Sequence, residues 1–445
     1  MSTIPEEKNL DNSLQLLREG FPFLHSRFQR FQSDIFKTRL MMQNVICLHG
    51  EEATKLFYDP EKFMRLGAIP KRIQKTLMGE NGIQTLDGEE HRKRKAMFMS
   101  LMTRPQVTKV ANLAADYWWA AIGKWEKMDQ VKLFDEVQDL LCRVACQWSG
   151  VPLPEKEVRK RAQDFGDMVD GFGGVGPRHW KGKKARRRGE KWIMEFVEDV
   201  RAGKIYVAED TPARTILFYR DTNGKLLDTY IAAVELMNIL RPIVAIATYI
   251  TFGALAMYTY PECRQKLQAN EDNYAELFVQ EVRRFYPFGP FLGNRVRQDF
   301  EWGGHHFKKG TLVFLDMYGA LHDPKIWEHP DDFRPERFRT WDESPYNFIP
   351  QGGGDHYTGH RCAGERITIE VMKVAAIFMT HFMDYQVPPQ DLSFSLVRMP
   401  TLPKSGFVMR NVRRIQIPVS TALSASPAAT AYAYTGGGKC PFHHS

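Results

Sequence analysis

The 445-residue chain contains little cysteine, and its six cysteines are too sparse for a disulfide framework. Cys142 and Cys146 lie four residues apart and could share one face of a helix. No second pair and no nearby histidine accompanies them, so buried free thiols are favoured over a metal-binding pair. This cysteine usage is typical of a reducing compartment, and we expect a cytoplasmic protein.

An apolar N-terminal segment is also lacking. The first twenty residues, MSTIPEEKNLDNSLQLLREG, are polar and charged, which argues against a secretory signal or a membrane anchor. A later run, residues 229–258, is apolar and long enough to cross a bilayer. It carries Glu235, Asn238, Arg241 and Pro242 in its middle, each costly in lipid without a partner. We therefore predict a long helix through the centre of a soluble domain and no membrane span.

A recognisable nucleic-acid-binding module is missing, although the net charge is +8. The basic residues are scattered except in the run KGKKARRR, residues 181–188. We interpret this run as a solvated loop or the start of a helix, and we expect no nucleic-acid partner. The general basicity could instead attract anionic substrates.

Internal repeats and regular alternation of strands with helices are absent as well. Apolar residues at three- and four-residue spacing predict helices at 105–125, 131–149, 155–170, 184–203, 226–258, 262–268, 273–286 and 365–382. Strand-like patterns are fewer: residues 45–48, a hairpin in 295–318 around two glycines, and a second hairpin in 393–418. The expected fold is mainly α with a small β region, as one domain over residues 1–419 followed by a low-complexity tail, residues 420–445.

The surroundings of Cys362 suggest a site. A glycine-rich, non-helical run leads into this residue, and a helical pattern follows it. Backbone N–H groups at a helix start can point at a thiolate and lower its pKa, and the small Ala363 and Gly364 would let a flat macrocycle approach. His360 and Arg361 could neutralise acidic groups of such a ligand. From this chemistry alone, a buried cysteine beside a glycine turn remains an alternative.

Three motifs resemble those of the cytochrome P-450 family. Residues 359–364, GHRCAG, resemble the haem-ligand motif; residues 281–284, EVRR, resemble the E-x-x-R motif; and residues 333–338, FRPERF, resemble the element that completes its charge network. The resemblance covers about residues 10–418. It implies the cytochrome P-450 fold, with a long central helix and a haem b whose iron is bound by the thiolate of Cys362.

Two departures distinguish the chain from ordinary monooxygenases of that family. The family's Phe and Gly before the cysteine are replaced by Asp355 and Thr358, and the loop QGGGDH, residues 351–356, looks like an insertion. In addition, the acid–Thr pair of the central helix is replaced by a stretch containing Arg241 and Pro242. Proline should kink this helix and open a local gap. A buried guanidinium needs an anionic partner, and an internal carboxylate such as Glu235 is as good a candidate as a bound ligand.

The Arg-Pro pair and the enlarged loop resemble the fatty-acid peroxygenases among bacterial cytochromes P-450. The resemblance implies that Arg241 binds the carboxylate of a long-chain fatty acid, which then serves as general acid–base. It also implies that hydrogen peroxide is the oxidant, that no redox partner is obligatory, and that carbon 2 or 3 is hydroxylated with some decarboxylation to a terminal alkene. Gln84 favours hydroxylation over decarboxylation. The alternatives are a redox-partner-dependent cytochrome P-450 monooxygenase and a non-enzymatic haem-thiolate sensor.

Matching to that family extends the site. It implies haem contacts by Arg65, His91 and Lys95 in addition to His360, Arg361 and Cys362, and a catalytic setting formed by Arg241, Pro242 and Gln84. The residues implied to line the substrate channel are Met78, Phe172, Phe288 and Phe291, although aromatic residues are more often plain core. Relatives often carry Phe where this chain has Met78, which leaves the position of hydroxylation open.

The C-terminal tail contains one further candidate metal site, formed by Cys440, His443 and His444. Two adjacent histidines and one cysteine in a low-complexity segment define no geometry, so we expect no role for them. Deletion of residues 421–445 should leave haem content and peroxide-driven activity unchanged, as measured by absorbance and product analysis. A clear loss of either would contradict this expectation.

Overall fold

The structure is a computed structural model, and it describes residues 4–415. The predicted tail and its candidate metal ligands lie outside the described residues, and the expected domain of residues 1–419 stays a prediction. The α-helices are α1 Ser13–Glu19, α2 Pro22–Phe31, α3 Glu51–Phe57, α4 Lys71–Ile73, α5 Gly88–Ser100, α6 Arg104–Trp125, α7 Leu133–Ser149, α8 Val158–Gly171, α9 Pro177–Arg201, α10 Pro212–Leu217, α11 Thr229–Thr259, α12 Pro261–Gln268, α13 Tyr274–Phe285, α14 Met317–Leu321 and α15 Glu365–Ile377.

The strands form three small sheets. They are β1 Ile35–Leu40, β2 Gln43–Leu48, β3 Phe63–Met64, β4 Val131–Lys132, β5 Phe291–Val296, β6 Phe300–Trp302, β7 His305–Phe307, β8 Leu312–Asp316, β9 Met383–Gln386 and β10 Val408–Arg414. One sheet has the order β1-β2-β8-β5-β3, the second β4-β10-β9, and the third is the hairpin β6-β7. This arrangement confirms the mainly α fold with a small β region.

Helix α11 forms the centre of the protein and packs against α7, α9 and α15. It is long and apolar enough to span a bilayer, but 94% of its most apolar window is buried inside the protein. The helix continues through Pro242, which cannot donate to the carbonyl of Asn238. The predicted central helix is therefore confirmed, and it carries the proline inside its length.

Two interpretations of the sequence are wrong. The second predicted hairpin is not formed in its described part, residues 393–415, because only β10 is a strand there and its partners β4 and β9 come from elsewhere in the chain. Prolines at 400 and 403 remove backbone donors that a ladder would need. The interpretation of the run 181–188 is wrong for its loop alternative and for Arg186, because the run lies in the first half of α9 with Arg186 buried at 1% exposure, whereas Lys181, Lys184, Arg187 and Arg188 are exposed.

The E-x-x-R pair forms a buried charge network at the end of α13. Glu281 binds Arg284 through both carboxylate oxygens, at 2.7 and 2.8 Å. It also accepts from Arg337 Nε at 3.2 Å and from the backbone N–H of Arg334 at 2.8 Å. The segment 333–338 therefore completes the network, as its motif predicts. The carboxylate of Glu281 thus holds α13 against the segment 333–338, which precedes the cysteine loop in the sequence.

This network predicts a large stability effect. Glu281→Gln leaves two buried guanidinium groups without their shared anion and should lower the free energy of unfolding by about 3–5 kcal/mol, measured by urea denaturation. Glu89→Gln removes an acid from an exposed pair with Lys93 and should have almost no effect. Equal stability of the Glu281 variant and the parent would show that the network is dispensable.

Candidate active site

Cys362 lies at the end of a glycine-rich loop that folds around Tyr58. The hydroxyl of Tyr58 accepts from the N–H of Gly353 at 2.8 Å, and a Cβ on Gly354 would lie 3.1 Å from the Cβ of Tyr58. The N–H of Cys362 donates to the carbonyl of Gln351 at 3.1 Å. The glycines thus allow the loop to approach Tyr58 closely, and this contact sets the position of the cysteine ahead of α15.

Neighbouring groups shift the pKa of the Cys362 thiol in opposite directions. Burial and Glu365 raise the pKa, whereas Lys95 and the N–H of Gly364 lower it, and the net direction is upward. The pKa lowering expected from the helix start is therefore present but outweighed by burial. The Gln351 side chain also donates toward the sulfur, at 3.6 Å. A cation bound to the sulfur would favour its thiolate form here.

A cavity of about 400 Å³ lies between this cysteine and α11. It brings together residues that are far apart in the sequence, and all but one of the predicted site residues line it: Met78, Gln84, His91, Lys95, Phe172, Arg241, Pro242, Phe288, Phe291, His360, Arg361 and Cys362. The exception, Arg65, lines an adjoining cavity. The loop, α5, α11 and β5 therefore enclose one site.

Buried basic groups cluster at one side of the site. Burial and neighbouring cations lower the pKa of His91 to about 4 and that of His360 well below its usual range, and the two rings stack at 3.8 Å. Burial also lowers the pKa of Lys95 to about 8, and it lowers that of Arg65. Burial is the largest cause of each of these shifts, so the site holds several basic groups away from water. The two propionates of haem b are suited to it, so these residues and Cys362 fit the expected cofactor.

Arg361 has an additional role in the loop. Its Nε donates to Glu365 at 2.6 Å, and Glu365 also pairs with Arg283 of α13. These two guanidinium groups lower the pKa of Glu365 to about 2 despite its burial. The charge network therefore fixes the first turn of α15 beside the cysteine.

Arg241 on α11 is buried, with 8% exposure, and points into the same cavity. Among residues 4–415 its guanidinium has no hydrogen bond and no ion pair, and its Nε atom is fully buried without a partner. Burial and the neighbouring Arg186 lower its pKa to about 9, so it remains charged at neutral pH. A buried, charged and unpaired guanidinium is costly unless an anion enters the cavity.

Glu235 is not that anion. It accepts from Arg94 Nη1 at 2.6 Å, from the N–H of Ile83 at 2.9 Å and from Asn238 Nδ2 at 3.0 Å. The internal ion pair considered from the sequence is therefore wrong, because the carboxylate of Glu235 faces α5 rather than Arg241. Sequence reasoning missed Arg94 as the partner, because the contact between α5 and α11 leaves no local pattern in the sequence.

The same network orients Gln84. The amide of Asn238 contacts both Glu235 and Gln84 Oε1, the latter at 3.3 Å. Both amides line the cavity and neither carries charge. None of the lining residues, all within the described range, is Asp or Glu. The cavity therefore contains the guanidinium of Arg241 but no carboxyl group from the described part of the protein.

An apolar channel extends the cavity. The adjoining cavity, about 320 Å³, shares Met78, Phe172 and Phe291 with the first and reaches α1 and the turn between β1 and β2. Phe288 stacks on Tyr249 at 4.9 Å, so it belongs to the packed wall as well as to the cavity. Tyr249 also lines the site and was missed, since one more aromatic in an apolar helix gives no signal.

Comparisons with known proteins agree with this geometry. The family model described as Cytochrome P450 matches residues 158–409. Among curated proteins, human cytochrome P450 3A5 is 29% identical over 176 residues, which are 35% of this chain and 34% of that protein. The aligned part thus spans about a third of the length of such curated relatives.

Solved structures match nearly the whole chain. Cytochrome P450SP alpha (CYP152B1) in complex with (R)-ibuprophen is 48% identical, covers 91% of this chain and 99% of its own, and has a TM-score of 0.89. Cytochrome P450EX alpha (CYP152N1) with myristic acid is 45% identical, with 93% and 100% coverage and a TM-score of 0.90. A cytochrome P450 OleT variant with arachidonic acid is 38% identical, with 94% and 100% coverage and a TM-score of 0.91.

The position of Cys362 leads to a direct prediction. Cys362→Ala should abolish stable haem incorporation and turnover, because the other described cysteines lie outside the cavity. The measurement is the haem-to-protein ratio together with the red-shifted carbonmonoxy Soret band typical of thiolate ligation. Cys263→Ala is the control and should keep both. A Cys362→Ala protein that retains the thiolate band would disprove the assignment.

Proposed function

Because this chain belongs to the cytochrome P450 family, we propose that it is a peroxygenase that hydroxylates long-chain fatty acids at carbon 2 or 3 with hydrogen peroxide. A minor decarboxylation to terminal alkenes accompanies this reaction. The single observation that carries the proposal is Arg241, buried and unpaired in a cavity that contains no carboxylate and ends at Cys362. Such a cavity requires a substrate that brings its own anion.

Haem b would be held by Cys362 through its iron, and its propionates would be bound by the cations Arg65, Lys95 and Arg361 together with the neutral imidazoles of His91 and His360. The burial of all five side chains near Cys362 and the lowered pKa values of Arg65, His91, Lys95 and His360 support this role. When bound, haem b supplies the oxidation chemistry that hydrogen peroxide drives.

Arg241 binds the fatty-acid carboxylate. A guanidinium can donate two parallel hydrogen bonds to a carboxylate, which fixes its orientation as well as its position. The relatives described above were solved with ibuprophen, myristic acid and arachidonic acid, and each of these ligands is a carboxylic acid. Met78, Phe172, Phe288 and Phe291 line the path of the alkyl chain. The carbons next to the carboxylate are then held closest to the reaction centre.

The bound carboxylate also supplies the proton transfer that the cavity lacks. Splitting a peroxide O–O bond needs a group that accepts and returns a proton, and no Asp or Glu among the described lining residues can do so. A carboxylate paired with Arg241 is placed for this role by binding energy. Gln84 and Asn238 are amides and cannot replace it.

The alternative, a monooxygenase supplied with electrons by a redox partner, relies on an acid–Thr pair in the central helix. Here Arg241 and Pro242 occupy that stretch, and the acid of α11, Glu235, is bound to Arg94. This arrangement favours peroxide over a reductase as the source of oxidising equivalents. A cytoplasmic enzyme without an obligatory redox partner is the form that we propose.

Arg241→Leu tests the proposal. The variant removes both the anchor of the carboxylate and the position of the general acid–base, and such a buried charged pair is typically worth several kcal/mol. With tenfold in rate for each 1.36 kcal/mol, peroxide-driven hydroxylation of a long-chain fatty acid should fall by roughly a hundredfold or more. Haem content should be unchanged, because Arg241 is no iron ligand.

Two controls define the result. Arg187→Leu removes an exposed positive charge next to Arg186 and should retain full activity, whereas Arg241→Lys keeps the charge without the two-pronged geometry and should recover activity only in part. With the parent protein, a substrate lacking a carboxylate should react only after a short carboxylic acid is added. Hydroxylation by Arg241→Leu at the parent rate, or turnover that requires NAD(P)H and redox proteins, would reject the mechanism.

A further inference from the structure

A second cluster of metal-ligand side chains lies where α2, β2 and β8 meet. His25 belongs to α2, His49 directly follows β2, and Asp316 is the last residue of β8. One nitrogen of each histidine and one carboxylate oxygen of Asp316 lie within 4.8 Å of one another. The Nδ1 of His49 and the Oδ2 of Asp316 are 3.4 Å apart. Three segments that are distant in sequence thus direct ligand-type atoms to one place.

The converging atoms are buried and unsatisfied. Within residues 4–415, neither His25 Nδ1, His49 Nδ1 nor Asp316 Oδ2 makes a hydrogen bond. Asp316 is fully buried, and His49 is 6% exposed. The space between them depends on Gly319, since a Cβ at that position would collide with Asp316 Oδ2 and His25 Nδ1. Buried polar atoms without partners are costly, so a missing ligand is a direct explanation.

The remaining polar atoms of these side chains are held in place. His49 Nε2 lies 3.2 Å from Asp323 Oδ2, and His25 Nε2 lies 2.8 Å from Gln29 Nε2, so the amide of Gln29 must turn to present its oxygen to accept the Nε2–H of a metal-bound His25. Asp316 Oδ1 accepts the backbone N–H of Gly319 at 2.9 Å. One polar atom of each side chain is therefore held by a neighbouring group. The other polar atom, His25 Nδ1, His49 Nδ1 or Asp316 Oδ2, remains available for a shared ligand. Metal-bound histidines are oriented in this way by a partner on the second ring nitrogen.

The charges of the cluster also require a cation. Asp316 and Asp323 are both buried and together carry two negative charges. A divalent cation with two neutral histidines would balance both carboxylates.

We propose that His25, His49 and Asp316 form a zinc site. Two imidazole nitrogens and one carboxylate oxygen are common zinc ligands, and in a tetrahedral site with bonds of about 2.0–2.1 Å the ligand atoms are about 3.3 Å apart. The site joins α2 to the end of β8. In the sheet, Asp316 lies opposite Phe291, which lines the substrate cavity on β5. Zinc therefore stabilises the strand pair that forms this wall of the cavity.

The test measures zinc in the full-length holoenzyme, purified without a histidine tag. The protein is incubated with zinc chloride, desalted, and analysed by mass spectrometry, with the haem iron of the same sample as reference. The parent should retain about one zinc ion per chain, since three protein ligands bind zinc tightly at neutral pH. His25→Ala and His49→Ala should lose it while keeping the Soret spectrum.

Two matched controls keep the site. His306 is an exposed histidine beside Asp299 and Glu301, and His306→Ala should bind as much zinc as the parent. Cys440→Ala tests the tail as a competing location and should also retain zinc.

A second measurement covers the case in which the alanine variants do not fold. Zinc should raise the thermal unfolding midpoint of the parent but not that of His25→Gln, which keeps the size of the side chain. A parent protein without zinc would mean that the cluster is only an Asp–His–Asp ion network and would overturn the proposal. Zinc lost in Cys440→Ala but retained in His25→Ala would also overturn it.

Discussion

The pairing of Glu235 with Arg94 determines what the active-site cavity can bind. Both charges are buried, and the N–H of Ile83 and the amide of Asn238 satisfy the remaining capacity of the carboxylate. Helix α11 therefore carries one acid and one base six residues apart, on different faces. Glu235 binds α5 and the loop that precedes it, whereas the guanidinium of Arg241 stays unpaired among residues 4–415 and available for a ligand.

Two further buried carboxylates, those of Glu281 and Glu365, hold together the elements around Cys362, on the side of the cavity opposite α11. Glu281 joins α13 to the segment 333–338, and Glu365 joins α13 to the loop and helix around Cys362. Because neighbouring residues of α13, Arg283 and Arg284, serve the two networks, a displacement of this helix would move both at once. The position of the sulfur thus depends on charge pairs that never contact a substrate. Buried pairs of this kind define geometry more than they add stability.

The sequence predicted most of the helical frame because long segments with a 3.6-residue apolar period leave little choice of structure. It also brought together most of the site, since Arg241, Gln84, the cysteine loop and the channel residues do line one cavity. It failed at short strands whose partners are distant, as with β10, and at Arg186, the one buried basic side chain in a largely exposed basic run. The sequence also did not identify the partner of Glu235. Choosing between Arg94 and Arg241 requires the packing of α5 on α11, which no local pattern encodes.

The absence of acids among the described lining residues is as important as the presence of Arg241. Asn238 precedes Arg241 by three residues on α11, so the two side chains are neighbours along the helix. An aspartate of the same size at that position could pair with the guanidinium and fill the place of a substrate carboxylate. An amide keeps the hydrogen bonds to Glu235 and Gln84 without adding negative charge. Polar but uncharged residues at positions 84 and 238 therefore preserve the unpaired cation on which the proposed substrate binding and proton transfer both depend.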